Sequence, residues 1–318
     1  MKLEQLEAAA EVVHSAIPPT PQYCWPLLAE RTGCELWVKH ENHTPIGAFK
    51  IRGGLVYMGR LVREAPQVRG VIAATRGNHG QSIAYAAVRN GLKPVIVVPE
   101  GNSREKNAAM RAWGAELIVH GHDFQAALEH AEERAAEDGL HMVPSFHDNL
   151  VEGVASYALE LFHAVPDLDT IYAPIGLGSG ICGIIAARDA LGLKSEVVGV
   201  CSENAPTYAL SFEHDRAVAT NSANTMADGM ACRVPVEAAV EIINRGAERV
   251  VAVSDDELHA AMRAYYTDTH NIAEGAGAAA LAALVREKDA MAGRKVAVIL
   301  SGGNIDREIY TKILAAAD

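Results

Sequence analysis

The sequence has 318 residues, of which 49% are hydrophobic and 21% charged, so it can bury a large core and form two domains. Its net charge of -12 argues against a nucleic-acid-binding surface, which would be basic. No apolar run is long enough for a signal peptide or a membrane span, and the five cysteines form no C-x-x-C pair. We therefore expect a cytoplasmic protein without nucleic-acid or membrane partners.

Predicted strands and helices alternate along most of the chain. An amphipathic helix over residues 3–15 is followed by a proline-rich connector at 17–21. The next predicted elements are strand 35–39, helix 53–63, strand 70–74, helix 81–90, strand 94–99, helix 103–113, strand 116–120, helix 123–138 and a short strand near 142–143. This alternation predicts a parallel sheet covered by helices.

A second series of elements follows in the other half of the chain. It comprises strand 170–174, helix 181–191, strand 197–201, strand 249–253, helices 255–265 and 275–287, strand 295–300 and a last helix. Residues 202–235 are rich in Asn, Ser, Thr and His and predict a long loop region with short helices. Loops of this length inside a compact domain are usually functional.

Lys50 occupies an unusual position for a lysine. Pro45 and Gly47 form a turn before it, and apolar residues flank it, which predicts a buried amine. Burial favours the neutral amine, and this form condenses with an aldehyde to give a Schiff base. The alternative is an ordinary lysine at a helix start whose stem is buried and whose ammonium reaches solvent.

A glycine-rich turn follows the strand at 170–174. Its residues are Gly176, Leu177, Gly178, Ser179 and Gly180. Because a helix follows, the free N–H groups and the positive helix end can bind a phosphate without a basic side chain. A tight structural turn remains possible, whereas a dinucleotide fingerprint is disfavoured because Ile181 stands at the place of its third glycine.

Two other polar turns follow predicted strands. Residues 75–81, which begin Thr75-Arg76-Gly77-Asn78-His79, offer polar side chains and N–H groups at a helix start that suit a carboxylate, although Thr75 and Asn78 also suit capping and turn roles. Residues 301–304 (Ser-Gly-Gly-Asn) place a hydroxyl where it can cap the last helix or bond a heteroaromatic nitrogen. With Lys50, the three turns point to pyridoxal 5'-phosphate (PLP), which needs a lysine, an anion site and a partner for its ring nitrogen.

These motifs resemble those of the serine/threonine dehydratase family of fold type II PLP enzymes over about residues 17–310. The matching segments are residues 48–53 (Ala-Phe-Lys-Ile-Arg-Gly), 77–81 (Gly-Asn-His-Gly-Gln), the glycine-rich turn, 227–229 (Ala-Asp-Gly), Glu274 with 275–277 (Gly-Ala-Gly), and 301–304. The resemblance implies an α/β fold with two open, mainly parallel twisted sheets flanked by helices, as in the tryptophan synthase β subunit. It also implies a large PLP-binding domain of residues 1–65 and 147–318, a small mobile domain of residues 66–146, and a homodimer.

The resemblance also assigns roles to individual residues. Lys50 would bind the cofactor covalently, with Phe49 packing on the ring and Asn78 at the ring hydroxyl. The ring nitrogen would face Ser301, and Gly229 and Glu274 would complete the cofactor site with residues 176–180. The substrate carboxylate would contact Thr75, Asn78 and His79. Arg76 and Gly77 of the same turn are further candidates for substrate binding.

The predicted reaction is β-elimination from a β-hydroxy amino acid, which gives a 2-oxo acid and ammonia. Displaced from the cofactor, Lys50 would remove the Cα proton as general base. Ser301 provides no anion at the ring nitrogen, so a long-lived carbanion is disfavoured and prompt loss of the β-hydroxyl is favoured. A β-replacing synthase, a racemase and, more remotely, a non-catalytic phosphate-ligand binding protein remain as alternatives.

Two positions depart from the family pattern. Many relatives bind a divalent cation after the strand at 197–201, but Cys201 and Thr207 stand at the expected ligand positions here and Glu203 is alone, which predicts no metal site.

Arg76 replaces a small residue, and in racemases of this group a serine at this place acts as the second acid/base. An arginine stays protonated, which disfavours racemisation. Arg76 points either to solvent or to a substrate with a second carboxylate or an aromatic β-substituent.

Overall fold

The structure, a computed structural model, describes residues 1–316 and contains fourteen α-helices and ten β-strands in this range. The helices are α1 (Leu3–His14), α2 (Pro26–Thr32), α3 (Lys50–Glu64), α4 (Asn78–Arg89), α5 (Arg104–Ala112), α6 (Phe124–Asp138), α7 (Asp148–Ala164), α8 (Ser179–Ala190), α9 (Thr207–Glu213), α10 (Glu237–Gly246), α11 (Asp255–Thr269), α12 (Gly275–Arg286), α13 (Lys288–Met291) and α14 (Arg307–Ala315). The strands are β1 (Gln22–Cys24), β2 (Glu35–His40), β3 (Gly70–Ala74), β4 (Lys93–Val98), β5 (Glu116–Val119), β6 (His141–Met142), β7 (Thr170–Pro174), β8 (Glu196–Ser202), β9 (Arg249–Val253) and β10 (Lys295–Leu300).

The strands form two separate sheets. The six-stranded sheet has the order β1-β2-β10-β7-β8-β9, in which only the β1–β2 pair is antiparallel. The four-stranded sheet has the order β5-β4-β3-β6 and is entirely parallel. Helices flank both sheets, so the predicted fold class of two open, mainly parallel sheets is confirmed.

Strand order brings the predicted functional turns together. β2, β10 and β7 are neighbours and run parallel, so the segments that follow them emerge at one edge of the large sheet. These segments are the turn before Lys50, the Ser301 turn and the glycine-rich turn. In the four-stranded sheet, the carboxyl end of β3 supplies the Thr75 turn. The fold therefore places all four polar segments at carboxyl ends of parallel strands, where open α/β sheets bind ligands.

The central helices are buried on nearly all sides. Ten of the twelve residues of α12 are buried, and its alanines and glycines allow close packing on the large sheet. Twelve of the seventeen residues of α7 are buried between α3 and α8. Such helices lack a polar stripe, so hydrophobic periodicity identifies them poorly. None of the helices within residues 1–316 is long and apolar enough to cross a membrane.

Several helices begin earlier than the sequence predicts. α3 begins at Lys50 rather than at 53, α4 at Asn78 rather than at 81, and α8 at Ser179 rather than at 181. The predicted starts of α4 and α8 fell after Asn, His, Ser and Gly residues that have low helix propensity, whereas the first three residues of α3 include Lys50 and Arg52, which have high helix propensity. In each case the first turn lies at the candidate site, so tertiary contacts determine where the helix begins.

Candidate active site

One cavity of about 460 Å³ lies between the carboxyl ends of the two sheets. Every predicted site residue lines it: Phe49, Lys50, Thr75, Arg76, Gly77, Asn78, His79, Gly176, Leu177, Gly178, Ser179, Gly180, Gly229, Glu274 and Ser301. A cavity of this size is typical of a small-molecule site. The geometry thus brings together all the residues that the sequence proposed, although residues 49 and 301 are 252 positions apart in the chain.

Lys50 is the first residue of α3, and its half-buried side chain borders the cavity. Its Nζ donates to Ser179 Oγ over 3.0 Å and lies 4.8 Å from the centroid of the Phe49 ring. Within residues 1–316 it forms no ion pair with a carboxylate. Burial therefore lowers the pKa of Lys50 to about 8, which leaves an appreciable fraction of neutral amine near neutral pH.

The glycine-rich turn forms the wall next to Lys50. Gly178 has a left-handed backbone conformation, with φ of 98°, which glycine adopts without steric cost and which starts α8 at Ser179. No N–H group of residues 176–180 donates to an acceptor within the described chain. These N–H groups and the positive end of α8 could bind an anion without a basic residue.

Phe49 and the glycine-rich turn are held by α7. Tyr157 of α7 donates a hydrogen bond from its hydroxyl to the Gly180 carbonyl over 3.1 Å. The same ring contacts Phe49 edge to face, with the centroids 6.1 Å apart. Sequence reasoning missed Tyr157 because no element had been assigned to α7.

The turn after β3 is held by its own side chains and by the large sheet. Thr75 Oγ1 accepts hydrogen bonds from the N–H groups of Gly77 and Gly80 over 3.0 and 3.3 Å. Asn78 donates from Nδ2 to Glu274 Oε1 over 2.6 Å, and its Oδ1 accepts from Asn304 Nδ2 over 2.8 Å. Thr75 therefore has the predicted alternative role of capping its own turn, whereas Asn78 is the first residue of α4 and its side chain bonds distant residues instead of its own turn. The N–H groups of Asn78 and His79, however, donate to no acceptor within residues 1–316 and face a ligand site at the start of α4.

His79 is a neutral imidazole beside Lys50. Burial and, to a smaller extent, the nearby charge of Lys50 together lower the pKa of His79 to about 3. Its Nε2 is buried and has no hydrogen-bond partner within the described residues. A buried polar atom without a partner is costly, so this atom indicates a polar ligand in the cavity.

Ser301 and Glu274 border the same cavity. Ser301 is 4% exposed, and its side chain forms no hydrogen bond within residues 1–316. Glu274, also 4% exposed, precedes α12 and bonds Asn78 with one oxygen and Lys106 with the other. Burial raises the pKa of Glu274, the Lys106 ammonium opposes this, and Asp228 adds to the increase.

Sequence reasoning missed the cavity roles of Lys106 and Arg233. Lys106 lies on α5 and looks like a surface lysine in the sequence, yet it is 5% exposed and pairs with Asp228 and Glu274. Arg233 is exposed and lines the outer part of the cavity, as does Arg76. No side-chain hydrogen bond or ion pair of either arginine occurs within residues 1–316. No local sequence pattern distinguishes these residues from ordinary surface cations.

The segment after β8 does not resemble a metal site. Thr207 donates to the Cys232 carbonyl over 2.7 Å, Cys201 is buried, and Glu203 pairs with Arg286 over 3.0 Å. In the part of the chain that the structure describes, no group of three or more His, Cys, Asp or Glu side chains is arranged to bind a metal ion. The prediction that no divalent cation binds at this position stays a prediction.

We expect activity to be unchanged in EDTA, because the oxygen atoms of Glu203 and Thr207 are already engaged within the protein. The measurement is the rate of product formation after prolonged incubation with the chelator. EDTA saturated with magnesium serves as the control for effects other than metal removal. Activity that is lost in EDTA and restored by magnesium would contradict the prediction.

The sequence and the fold are similar to those of known proteins. The family model described as "Pyridoxal-phosphate dependent enzyme" matches residues 13–302. L-threonine ammonia-lyase of Thermotoga maritima is 33% identical over 98% of this chain and 78% of its own length. Threonine deaminase isoform 2 from Solanum lycopersicum superposes with a TM-score of 0.91 at 28% identity, covering 99% of this chain and 94% of that chain. A PLP-dependent aspartate racemase superposes with a TM-score of 0.92 at 27% identity, covering 97% of each chain.

Proposed function

Because the chain belongs to the family of pyridoxal-phosphate dependent enzymes, we propose that Lys50, the glycine-rich turn and Ser301 hold that cofactor in the cavity. The homologues confirm the predicted family, the cofactor and a PLP-dependent ammonia-lyase that acts on a hydroxy amino acid by β-elimination. The roles of the individual cavity residues in this reaction are proposed here. The observation that carries it is the Lys50 amine in the cavity wall, whose pKa burial lowers to about 8 and which bonds Ser179 beside the free N–H groups of the glycine-rich turn.

The residues present fit PLP. The N–H groups of residues 176–180 suit a phosphate, and the Ser301 hydroxyl suits a ring nitrogen. The Phe49 ring and the Lys50 amine line the same cavity. The unpartnered Nε2 of His79 and the free N–H groups of Asn78 and His79 are available for a substrate carboxylate.

When bound, PLP withdraws electrons from the substrate Cα. In the proposed mechanism, the neutral amine of Lys50 accepts the Cα proton, since its lowered pKa places it near the working pH of a general base. Ser179 fixes the position of this amine through the 3.0 Å hydrogen bond. The protonated Lys50 can then deliver a proton to the departing β-hydroxyl. Ser301 adds no negative charge at the far end of the cavity.

We further propose a substrate that carries a carboxylate on its β-carbon, such as a 3-hydroxyaspartate. Arg76 and Arg233 both line the outer cavity without an ion pair in residues 1–316, although the chain has 40 acidic and only 28 basic residues. Asp123 also lines the cavity; the Ala126 N–H lowers its pKa first, and Arg233 lowers it further. The outer cavity keeps a net positive charge, which favours an acid over the aromatic alternative.

This substrate proposal can be tested with threonine, serine, 3-hydroxyaspartate and phenylserine, scored for 2-oxo acid and ammonia. The wild type is expected to prefer 3-hydroxyaspartate. Arg76→Ala should lower kcat/KM for that substrate roughly 10- to 100-fold, since a charged hydrogen bond is lost, and shift the preference towards threonine. Arg216→Ala, which removes an exposed arginine outside the cavity, is the matched control.

Each other outcome has a definite meaning. If wild type turns over threonine best and Arg76→Ala leaves the substrate ranking untouched, the role of Arg76 is wrong. Phenylserine as the best substrate would support the aromatic alternative. Interconversion of enantiomers without 2-oxo acid would favour the racemase, and a new adduct formed only with a second nucleophile would favour the synthase.

The division into domains, the homodimer and the cytoplasmic location belong to the same proposal. A small domain of residues 66–146 is supported because every strand of the four-stranded sheet lies between Gly70 and Met142. Free thiols at all five cysteines are compatible with a reducing compartment. Light scattering on the purified protein tests the homodimer, since a mass of one chain would contradict it.

A further inference from the structure

Lys106 is a buried cation that connects the two sheets. Its Nζ donates to Asp228 Oδ1 and Oδ2 over 2.9 and 2.7 Å and to Glu274 Oε2 over 3.0 Å. Lys106 belongs to the part of the chain with the four-stranded sheet, whereas both carboxylates belong to the part with the six-stranded sheet. Burial alone would lower the pKa of Lys106, but Glu274 and Asp228 outweigh it and raise this pKa.

The stem of Lys106 also contacts the turn after β3. A Cβ atom at Gly77 would lie 2.4 Å from Lys106 Cδ, so only a glycine at position 77 permits this approach. Lys106 therefore supports the turn by packing and binds Glu274 by charge. Both contacts reach residues that line the cavity.

The helix that carries Lys106 is fixed by a reciprocal pair of caps with α14. The Asp306 carboxylate accepts from Ser103 Oγ over 2.5 Å and from the N–H groups of Arg104 and Glu105 over 3.3 and 3.2 Å. In return, Glu105 Oε1 accepts from the N–H group of Arg307 over 2.9 Å. Each helix start thus supplies a carboxylate to the other, which satisfies N–H groups that would otherwise lack acceptors.

Glu274 connects Lys106 to Asn78. One carboxylate oxygen accepts from Lys106 and the other from Asn78 Nδ2, over 3.0 and 2.6 Å. Asn304 holds the opposite side of the Asn78 amide over 2.8 Å. An ionised Glu274 therefore fixes the orientation of Asn78, and a protonated Glu274 loses an acceptor lone pair there.

From these contacts we propose that Lys106 is a positioning residue, which keeps Glu274 ionised and thereby orients Asn78. Together with the α5–α14 caps, Lys106 also attaches the part of the chain with the four-stranded sheet to the part with the six-stranded sheet; we call this attachment the latch. This inference rests on the proposed place of Asn78 and Glu274 at the cofactor. Without the ammonium, Glu274 would stay buried beside Asp228 with no cation and would take up a proton. The turn at residues 75–81 would then lose one of its two attachments to the large sheet.

The test compares Lys106→Met, which keeps the stem that packs on Gly77, with Lys106→Arg, which restores the charge. In Lys106→Met, kcat should fall roughly 10- to 100-fold because a cavity residue is misplaced. The acid limb of the pH profile of kcat/KM should move to higher pH, since Glu274 protonates more readily. Amide hydrogen exchange of peptides covering residues 75–81 and 103–112 should become faster. Lys106→Arg should recover most of the pH profile.

Two further variants separate the parts of the latch. Asp306→Ala removes the cap without touching Lys106, so exchange should become faster in residues 103–112 while the pH profile stays that of the wild type. Arg111→Ala removes an exposed charge from the same helix and should match the wild type in every measurement. If Lys106→Met fails to fold, Lys106→Gln, which also removes the charge and keeps part of the stem, takes its place in the same exchange and pH measurements.

An unchanged pH profile in Lys106→Met, together with wild-type exchange in residues 75–81, would overturn the positioning role. Wild-type exchange of residues 103–112 in Asp306→Ala would overturn the latch. Neither result affects the proposed function, which is tested separately by PLP binding, by 2-oxo acid formation and by the Lys50→Ala variant. The exchange measurements do not depend on turnover, so the two failures are distinguishable.

Discussion

Replacement of Lys50 by alanine is expected to abolish covalent attachment of PLP and to lower kcat by roughly 10³-fold or more, because general base and Schiff-base former are removed together. In wild-type protein, borohydride should bleach the yellow colour and add the mass of the reduced cofactor to a peptide that contains Lys50. The variant should show no such peptide. Lys194→Ala, which removes an exposed lysine, should behave as the wild type.

The fraction of Lys50 in the neutral amine form is expected to increase with pH. Burial lowers the pKa of Lys50 to about 8, so the neutral amine increases as pH rises through about 8 rather than through its ordinary 10.5. At pH 7 the neutral fraction is then roughly 300-fold larger than for an ordinary lysine. The rate at which an amine-directed reagent labels Lys50 in protein freed of PLP should follow this titration. Labelling that increases only above pH 10, or a Lys50→Ala variant with unaltered activity, would end the assignment.

The candidate site was predictable from the sequence where its chemistry requires particular residue types close together in the chain. Lys50 after a turn, the glycine-rich turn and the Ser301 turn each follow a predicted strand, and parallel strands bring such turns to one edge. The cavity contains all of these residues. Their convergence was predictable because it depends on strand order and on local conformation, both of which leave a signal in short segments.

The missed features depend on contacts between distant segments. Lys106 contacts Asp228 and Glu274, which are 122 and 168 positions away, and nothing near Lys106 in the sequence distinguishes it from a surface lysine. α7 is buried on most sides and therefore has no polar stripe. The start of α3 at Lys50 reflects the hydrogen bond from the Phe49 N–H to the Ser301 carbonyl over 3.0 Å, which no local propensity predicts.

Arg52 lies two residues after Lys50 and is the largest of the fully buried side chains. Its guanidinium donates to Glu41 Oε2 over 2.7 Å, to Glu160 Oε1 over 2.6 Å and to Ser156 Oγ over 2.9 Å. Lys39, also fully buried, donates to Glu160 Oε2 over 2.6 Å. This buried network joins α3 to β2 and α7, so it fixes the helix that begins with Lys50.

Arg52→Met is expected to lower the free energy of unfolding by about 3–5 kcal/mol, because Glu41 remains buried without its cation and Glu160 loses one of its two buried cations. Chemical denaturation at pH 7 measures this change. The matched control is Arg134→Met, which breaks the surface pair with Asp138 on α6 and should leave the unfolding midpoint unchanged. A change for Arg52→Met no larger than that of the control would show that the network contributes little to stability.

The destabilisation by Arg52→Met should also depend on pH. Burial alone would raise the pKa of Glu160, but Arg52 and Lys39 outweigh it and lower this pKa from 4.5 to about 2. A carboxyl group whose pKa is lower in the folded state stabilises the protein above its unfolded pKa, and this contribution is lost as pH falls from about 4.5 towards 2. Arg52→Met lacks most of this stabilisation by ionised Glu160 at every pH. The difference in unfolding free energy between wild type and Arg52→Met should therefore narrow below about pH 4.5, and a difference that stays constant would show that Glu160 does not titrate with the network.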